Sequence, residues 1–174
     1  EGKFGFLECY CRGADTAQLT AGLREDWEVL RICMKRYACH MTAQTPVQSI
    51  RELMAQHGFK GSDVASMSVE GVEKIVTHNG SKEPGDVAQG QYSVPFCMAL
   101  ALYRDPDDPR SFDESAVKDP AIRATAKALE LKKRAEPGSV RSSTVTVTLK
   151  DGRKVGKRCD IYKGMPADPL SREE

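Results

Sequence analysis

Thr144-Val145-Thr146-Val147-Thr148-Leu149-Lys150-Asp151-Gly152 is the stretch that decides the fold of this 174-residue chain. Threonine alternates in it with valine and leucine, and this period of two predicts a half-buried β-strand. Asp151-Gly152 favours a tight hairpin turn, because both residues tolerate the backbone conformations that such a turn requires. The residues from Arg153 to Tyr162 then return as the partner strand. An antiparallel hairpin is therefore predicted here.

A helix is predicted upstream of the hairpin, from Thr45 to Gly58. Thr45-Pro46-Val47-Gln48 supplies an N-cap, a proline in the first helical position and a capping-box glutamine, and Gly58 is a typical stop. Apolar residues recur at helical spacing between these signals, at Val47, Ile50, Leu53 and Met54. This apolar stripe must pack against another element, most simply a sheet.

A further strand is predicted from Val64, where Ala65, Met67 and Val69 alternate with polar residues. Strands and helices together predict a single α+β domain over residues 1–174, with a mainly antiparallel sheet and helices packed on one of its faces. Local patterns predict the other elements. These are a strand at Phe6–Cys11, a helix at Thr16–Leu23, a strand at Trp27–Met34, a continued strand at Val72–Val76, a loop at Asn79–Gly85, a buried helix at Ser93–Tyr103 and a helix from Asp119 to about Ala128.

The composition is that of a globular domain with balanced charge. The chain has 26 basic and 25 acidic residues, so its formal charge of +1 indicates no strong attraction to nucleic acid or to anionic membranes. The longest apolar run, Phe96 to Tyr103, is far shorter than the ~20 residues that span a bilayer. No basic-then-apolar signal sequence opens the chain. We therefore expect a cytoplasmic protein.

Cysteines are few for a chain of this length. The six of them, at positions 9, 11, 33, 39, 97 and 159, lack the spacing of a disulfide framework and are expected to be reduced. The chain has enough possible zinc ligands in Cys9-Tyr10-Cys11 and in Cys33 with Cys39-His40. It has no Cys-x-x-Cys pair, however, so the spacing is not that of a usual structural zinc site. No metal and no cofactor are predicted.

Both ends of the chain indicate a fragment of a longer protein. An apolar stretch begins at once with Gly2-Lys3-Phe4, and Ser171 followed by Glu174 is a capping box that would open another helix. A frayed polar terminus is the alternative interpretation of these last residues.

Lys35-Arg36-Tyr37-Ala38-Cys39-His40 sets a lysine five residues before a histidine, just ahead of the predicted helix. A lysine binds carboxylates, and an imidazole titrates near neutral pH. The pair is suited to holding an acid and moving a proton. A solvated surface with an ordinary helix-end charge is the alternative.

The order of these motifs resembles a known family. Lys35-x-Tyr37-x-Cys39-His40 precedes a helix, an alternating strand follows, then a Ser93-x-Pro95-Phe96 helix, the hairpin and Gly164-x-Pro166-x-x-Pro169-Leu170-Ser171. This series resembles the carboxy-terminal, lid-like domain of the MmgE/PrpD family, which includes 2-methylcitrate dehydratase, cis-aconitate decarboxylase and iminodisuccinate epimerase. The resemblance implies an active-site cleft shared with an all-helical domain, which this chain lacks.

The resemblance assigns roles to several residues. Lys35 is similar to the family lysine that faces the substrate carboxylates, and His40 to the catalytic histidine of the decarboxylase branch. His78, near a family tyrosine, is the third catalytic candidate. Many relatives have a histidine and an aspartate where this chain has Gln44 and Gln48, and Phe96 stands where they often have tyrosine. The expected substrate-binding residues are Lys35, Arg36, Gln44 and Ser93.

Three functions are consistent with the sequence. The resemblance favours the lid domain of a cofactor-independent lyase or isomerase that acts on a small di- or tricarboxylic acid, as in 2-methylcitrate dehydratase. That enzyme is expected to be a homodimer, and the isolated chain is expected to be inactive. The second is a non-catalytic binding or dimerisation domain of the same fold, and the third is a small cysteine-rich metal module.

Overall fold

The computed structural model describes residues 5–11, 13–135 and 138–173. The chain divides into two units, residues 1–32 and residues 33–174. The first contains helix α1 (Phe6–Tyr10) and 3-10 turns at Thr16–Leu19 and Glu28–Arg31. The second contains, in chain order, α2 (Met41–His57), β1 (Val64–Gly71), α3 (Glu73–Thr77), α4 (Val87–Tyr92), α5 (Val94–Tyr103), α6 (Glu114–Lys118), α7 (Pro120–Ala128), β2 (Glu130–Lys133), β3 (Ser143–Leu149) and β4 (Lys154–Cys159).

The sheet is mixed, which corrects the prediction of a mainly antiparallel sheet. Its strand order is β2-β1-β3-β4, with β1 parallel to β2 and with β3 antiparallel to both of its neighbours. Helices α3 to α7 carry the chain from the end of β1 back to the start of β2, and such a crossover makes two neighbouring strands parallel. Strand β2 was not predicted, because Glu130-Leu131-Lys132-Lys133 is short and mostly charged.

The predicted hairpin is confirmed as β3 and β4, with Gly152 at a φ of 90° in its turn. Val145 and Val147 of β3 are fully buried, while the threonines that alternate with them are partly exposed. Helix α2 packs on β3 and β4 with its predicted apolar stripe. Helix α5 packs against α2 and α7 and is buried on nearly all sides, as its sequence predicted.

Helix α2 ends where it was predicted to end but begins earlier. Gly58 takes the left-handed conformation after its last residue, at a φ of 64°. The N-cap, however, is His40 and not Thr45, so that Pro46 lies inside the helix. Thr45 is buried, and its hydroxyl bonds with Arg141 and Ser143, so it is not available to cap the helix.

Three other local predictions are wrong. Phe6–Tyr10 is helical, the predicted helix over Thr16–Leu23 is a 3-10 turn over Thr16–Leu19, and Trp27–Met34 contains a 3-10 turn in place of a strand. No described residue of the first unit is buried, so its apolar residues do not form the half-buried face that a strand requires.

The chain also turns into α3 after β1 and does not continue as a strand. At Gly71 the side chain of Ile75 packs back so closely that an added Cβ would lie 2.3 Å from its Cδ1 atom. A side chain at this position would have to displace the end of the Ile75 side chain, which is buried in the core.

The predicted start of α5, the predicted start of α7 and one predicted loop agree with the structure. Ser93 caps α5, with Pro95 in the first turn, Asp119 caps α7, and Asn79–Gly85 is a loop. The helix predicted to open at Ser171 depends on Glu174, which lies outside the described residues. No helix in the described ranges has both the length and the apolar character needed to cross a membrane.

Candidate active site

His40 joins the loop Lys35–Cys39 to helix α2. Its backbone N–H donates to the carbonyl of Gln91 at 2.8 Å, which ties the loop to the end of α4. Its ring Nδ1 accepts the backbone N–H of Thr42 at 3.3 Å and lies 3.0 Å from the Thr42 hydroxyl. His40 is thus both the N-cap of α2 and a partly exposed imidazole.

Lys35 and His40 line one depression of about 200 Å³, together with Ala38, Cys39, Gln91 and Tyr92. The Tyr92 ring packs on the imidazole with a centroid separation of 4.9 Å. In the described part of the chain Lys35 has no carboxylate within ion-pair distance, so its charge is available to an anion. The structure therefore brings the two main candidates together.

Burial lowers the pKa of His40 below its ordinary value of 6.5, because the imidazolium loses solvation. The positive charges of Lys74 and then Lys35 lower this pKa further. The imidazole is consequently neutral at physiological pH. With Nδ1 accepting a hydrogen bond from Thr42, the ring proton of the neutral form lies on Nε2.

A second depression of about 400 Å³ also has His40 in its wall. Its other lining residues come from the start of α2, from the turn into α3 and from the segment before β3, and they are Met41, Thr42, Val72, Glu73, Lys74, Val140 and Arg141. Lys74 and Arg141 were not among the site residues predicted from the sequence. The strand pairing could have indicated them, because antiparallel neighbours bring the end of β1 and the start of β3 to the same end of the sheet.

Gln44 lies behind the loop and not at its surface. Its side-chain oxygen accepts the Tyr37 N–H at 3.2 Å, and its amide nitrogen donates to the carbonyls of Tyr37 at 3.0 Å and Cys39 at 3.2 Å. Gln44 is completely buried. It therefore positions the loop that carries Lys35 and His40.

Arg36 points to a different part of the molecule. Its guanidinium pairs with Asp107, with Nε 2.7 Å from Oδ1 and Nη2 3.3 Å from Oδ2. It lines a separate depression of about 650 Å³ whose charged residues include Arg51, Glu52 and Asp168. Arg36 and Lys35 thus face different depressions although they are adjacent in sequence.

Ser93 and His78 do not line either depression beside His40. Ser93 is buried as the cap of α5, where its hydroxyl accepts the Phe96 N–H at 3.0 Å and donates to the Ser81 carbonyl. His78 is exposed at the end of α3, with its Nδ1 atom 2.7 Å from the Thr77 hydroxyl. The side-chain contacts of Ser93 and His78 are therefore explained by the local fold.

Among the residues that the structure describes, the cysteines do not form a metal site. In the described ranges no three side chains of histidine, cysteine, aspartate or glutamate are placed to hold an ion. Cys39 and Cys97 are both buried, and loss of solvation raises the pKa of the Cys97 thiol well above its ordinary value. These thiols pack as small apolar side chains.

In a comparison with known families, the chain matches the MmgE/PrpD C-terminal domain over residues 37–174. No curated protein matches the chain significantly. The matched range begins within the Lys35–His40 loop and includes helices α2 to α7 and all four strands. The family includes lyases and dehydratases, which supports an enzymatic kind of function. The chain therefore belongs to the MmgE/PrpD family and contains the C-terminal domain of that family.

Proposed function

We propose that this domain forms one wall of the active site of a cofactor-independent lyase or isomerase that acts on a small di- or tricarboxylic acid, as 2-methylcitrate dehydratase does. One observation carries this proposal, namely that Lys35 and His40 line the same depression at the start of α2. We further propose that the whole enzyme is a cytoplasmic homodimer in which a helical domain completes the cleft.

Lys35 supplies positive charge for the reaction. When the carbon next to a carboxylate loses a proton, negative charge moves onto the carboxylate, which becomes enolate-like. A lysine ammonium facing the carboxylate stabilises this charge, and the effect grows where the cleft excludes water. The Lys35 charge is not already neutralised by a carboxylate of the described residues, so it is available for the substrate.

His40 contributes through its Nε2 atom. A neutral imidazole with its proton on Nε2 donates a hydrogen bond to a developing negative charge. Uptake of a proton by the neutral ring would take place at Nδ1 and would break the cap on Thr42. The cap therefore favours a role as hydrogen-bond donor for His40 over a role as the proton acceptor.

The intact protein that carries this domain provides the test. Turnover of 2-methylcitrate, cis-aconitate and related acids is measured for the wild type, Lys35→Ala and His40→Ala. We expect both variants to lose at least about 100-fold in kcat/KM, as when a charge-stabilising donor is removed from an active site. Arg158→Ala on β4, whose side chain pairs with Asp160, is the control. Wild-type rates in Lys35→Ala and His40→Ala would overturn the assigned roles.

A non-catalytic binding or dimerisation domain is the alternative, because Gln44, Gln48 and Phe96 replace groups that titrate. Gln44 and Phe96 are buried, however, and Gln48 bonds with Glu52 and the backbone of Lys163. None of the three lines the depressions beside His40. These three replacements thus leave the Lys35–His40 pair in place. Turnover of any carboxylic acid by the intact protein would exclude the alternative of a non-catalytic domain.

A further inference from the structure

The second depression beside His40 is positively charged and is distinct from the one that contains Lys35. Lys74 from α3 and Arg141 from the segment before β3 both line it. Its one acidic residue, Glu73, forms an ion pair with Lys133 at 3.1 Å. Across the described ranges no carboxylate lies within ion-pair distance of Lys74 or Arg141. The depression therefore has an uncompensated positive charge.

Arg141 is held in place by contacts that leave its charge unneutralised. Its Nη1 atom lies 3.2 Å from the sulfur of Cys33 and 4.0 Å from the sulfur of Met165. Sulfur is a weak hydrogen-bond acceptor, so these contacts orient the guanidinium without satisfying it. The remaining donors suit a carboxylate, which a guanidinium binds through two parallel hydrogen bonds.

The backbone around this depression is firmly tied together. The hydroxyl of Thr45 on α2 donates to the carbonyl of Arg141 at 2.6 Å and accepts from the hydroxyl of Ser143 at 2.9 Å. These two bonds join the first turns of α2 to the start of β3. The backbone of Arg141 is consequently tied to the helix that His40 caps, as the fixed geometry of a specificity site requires.

The rest of the wall is suited to a small acid. Val72, Val140 and Met41 contribute apolar surface next to the two cations, which reduces solvation of the site and strengthens charge–charge attraction. A volume of about 400 Å³ lies within the usual range of small-ligand pockets, about 300–1,000 Å³. A ligand without an anionic group would leave the charges of Lys74 and Arg141 without a partner.

We infer that Arg141, assisted by Lys74, binds a second carboxylate of the substrate in the second depression, which shares His40 with the depression that Lys35 lines. This inference rests on the proposed function. His40 is shared by both depressions, so a substrate with a carboxylate in each depression passes over the imidazole. The site thereby selects di- and tricarboxylic acids over monocarboxylic acids, because a monocarboxylate leaves one set of cations unpaired.

The test measures binding by calorimetry with the intact protein and three non-reacting acids, which are butyrate, succinate and propane-1,2,3-tricarboxylate. The variants are Arg141→Gln, Lys74→Gln and Lys35→Gln, with Arg158→Gln as the control. Arg141→Gln keeps the backbone carbonyl that Thr45 uses and loses only the weak contacts of the guanidinium with the sulfurs of Cys33 and Met165. Lys74 is on an exposed helix face, so Lys74→Gln removes no described tertiary hydrogen bond. Thermal unfolding confirms that each variant is folded.

We expect Arg141→Gln to weaken binding of the di- and tricarboxylate by about 10- to 100-fold, the range for loss of a charge-assisted hydrogen bond. Lys74→Gln should weaken it less, and neither change should alter butyrate binding. Lys35→Gln should weaken all three acids. Unchanged succinate and tricarboxylate affinity in Arg141→Gln and Lys74→Gln, with a loss in Lys35→Gln, would overturn the second carboxylate site alone. No binding of any acid to the wild type would overturn the proposed function as well.

Discussion

The Nδ1 atom of His40 accepts the backbone N–H of Thr42 at 3.3 Å, so the candidate catalytic histidine is also the N-cap of helix α2. A single side chain thus serves stability and the proposed chemistry through different ring atoms. Nδ1 belongs to the helix, and Nε2 remains for the substrate. This division makes the two roles separable by mutation.

Replacing His40 by asparagine and by alanine separates these roles. Asparagine is a good N-cap, so His40→Asn should keep the stability of the wild type within about 0.5 kcal/mol, whereas His40→Ala should lose about 0.5–2 kcal/mol. Both variants lack an imidazole and should have equally low turnover. Urea unfolding and a turnover assay measure the two effects. Equal stability of the alanine and asparagine variants would contradict the capping role.

The pKa of His40 is expected to lie below its ordinary value of 6.5. Because the folded protein disfavours the imidazolium, His40 lowers stability as the pH falls below 6.5 and leaves it unaffected above that value. Lys74→Gln should raise this pKa, since one positive charge beside the ring is removed, but burial should keep it below that of a free histidine. NMR titration of the ring protons measures both shifts. A higher pKa in the wild type than in Lys74→Gln would contradict this explanation.

Turnover should fall as the pH decreases through the lowered pKa of His40, because the imidazolium cannot keep Nδ1 as the acceptor of the Thr42 N–H. In Lys74→Gln the same fall should occur at a higher pH. A pH profile of kcat/KM, with His78→Gln as a matched control on an exposed histidine, measures this shift. An identical profile in the wild type and Lys74→Gln would show that His40 does not control the acidic limb.

Gln44→Leu should destabilise the domain by at least about 2 kcal/mol. Leucine has a similar size but cannot bond with Tyr37 and Cys39, and each buried backbone group left without a partner costs about 1–3 kcal/mol. The loop with Lys35 and His40 should also become less ordered, which lowers turnover. Gln56→Leu, on an exposed position of the same helix, is the control. Chemical denaturation that shows equal stability for both variants would refute the positioning role of Gln44.

Gly58→Ala should destabilise helix α2 through backbone conformation alone. Its φ of 64° is left-handed, and an added Cβ meets no atom within 4 Å, so no steric clash contributes. The expected loss is about 1–2 kcal/mol. Gly85→Ala is the matched control, since its added Cβ makes an ordinary contact at 3.6 Å and its φ lies outside the left-handed region. Its stability should be unchanged or slightly higher. A thermal shift that is as small in Gly58→Ala as in Gly85→Ala would be contrary to this expectation.

Elements with complete local signals were predicted correctly. The hairpin around Asp151-Gly152 and the helix after Ser93 carry their alternation, caps and turn residues within a few neighbouring positions. Predictions failed where the outcome depended on distant partners. Thr45 resembles an N-cap, but its hydroxyl is bonded to Arg141, 96 residues away, and the helix begins at His40.

The candidate site shows the same division. Lys35 and His40 were recognisable as a pair because they lie five residues apart before a helix, and the family resemblance followed from the order of nearby motifs. Arg36, adjacent to Lys35, pairs instead with Asp107, because neighbouring side chains in a loop point in different directions. Composition and spacing do not determine that direction.

Local patterning alone was sufficient for the hairpin and the buried helix α5, because short-range periodicity and capping determine them. The family was indicated by the resemblance in the order of the motifs, and that resemblance singled out Lys35 and His40. Tertiary structure decided that the sheet is mixed, that Gln44 supports the loop from within the core, and that Lys74 and Arg141 lie beside His40. The physical reason is the antiparallel pairing of β1 with β3. This pairing brings the end of β1 and the start of β3, which are far apart in sequence, to the same end of the sheet, next to the start of α2. Charges distant in sequence become neighbours only through this pairing.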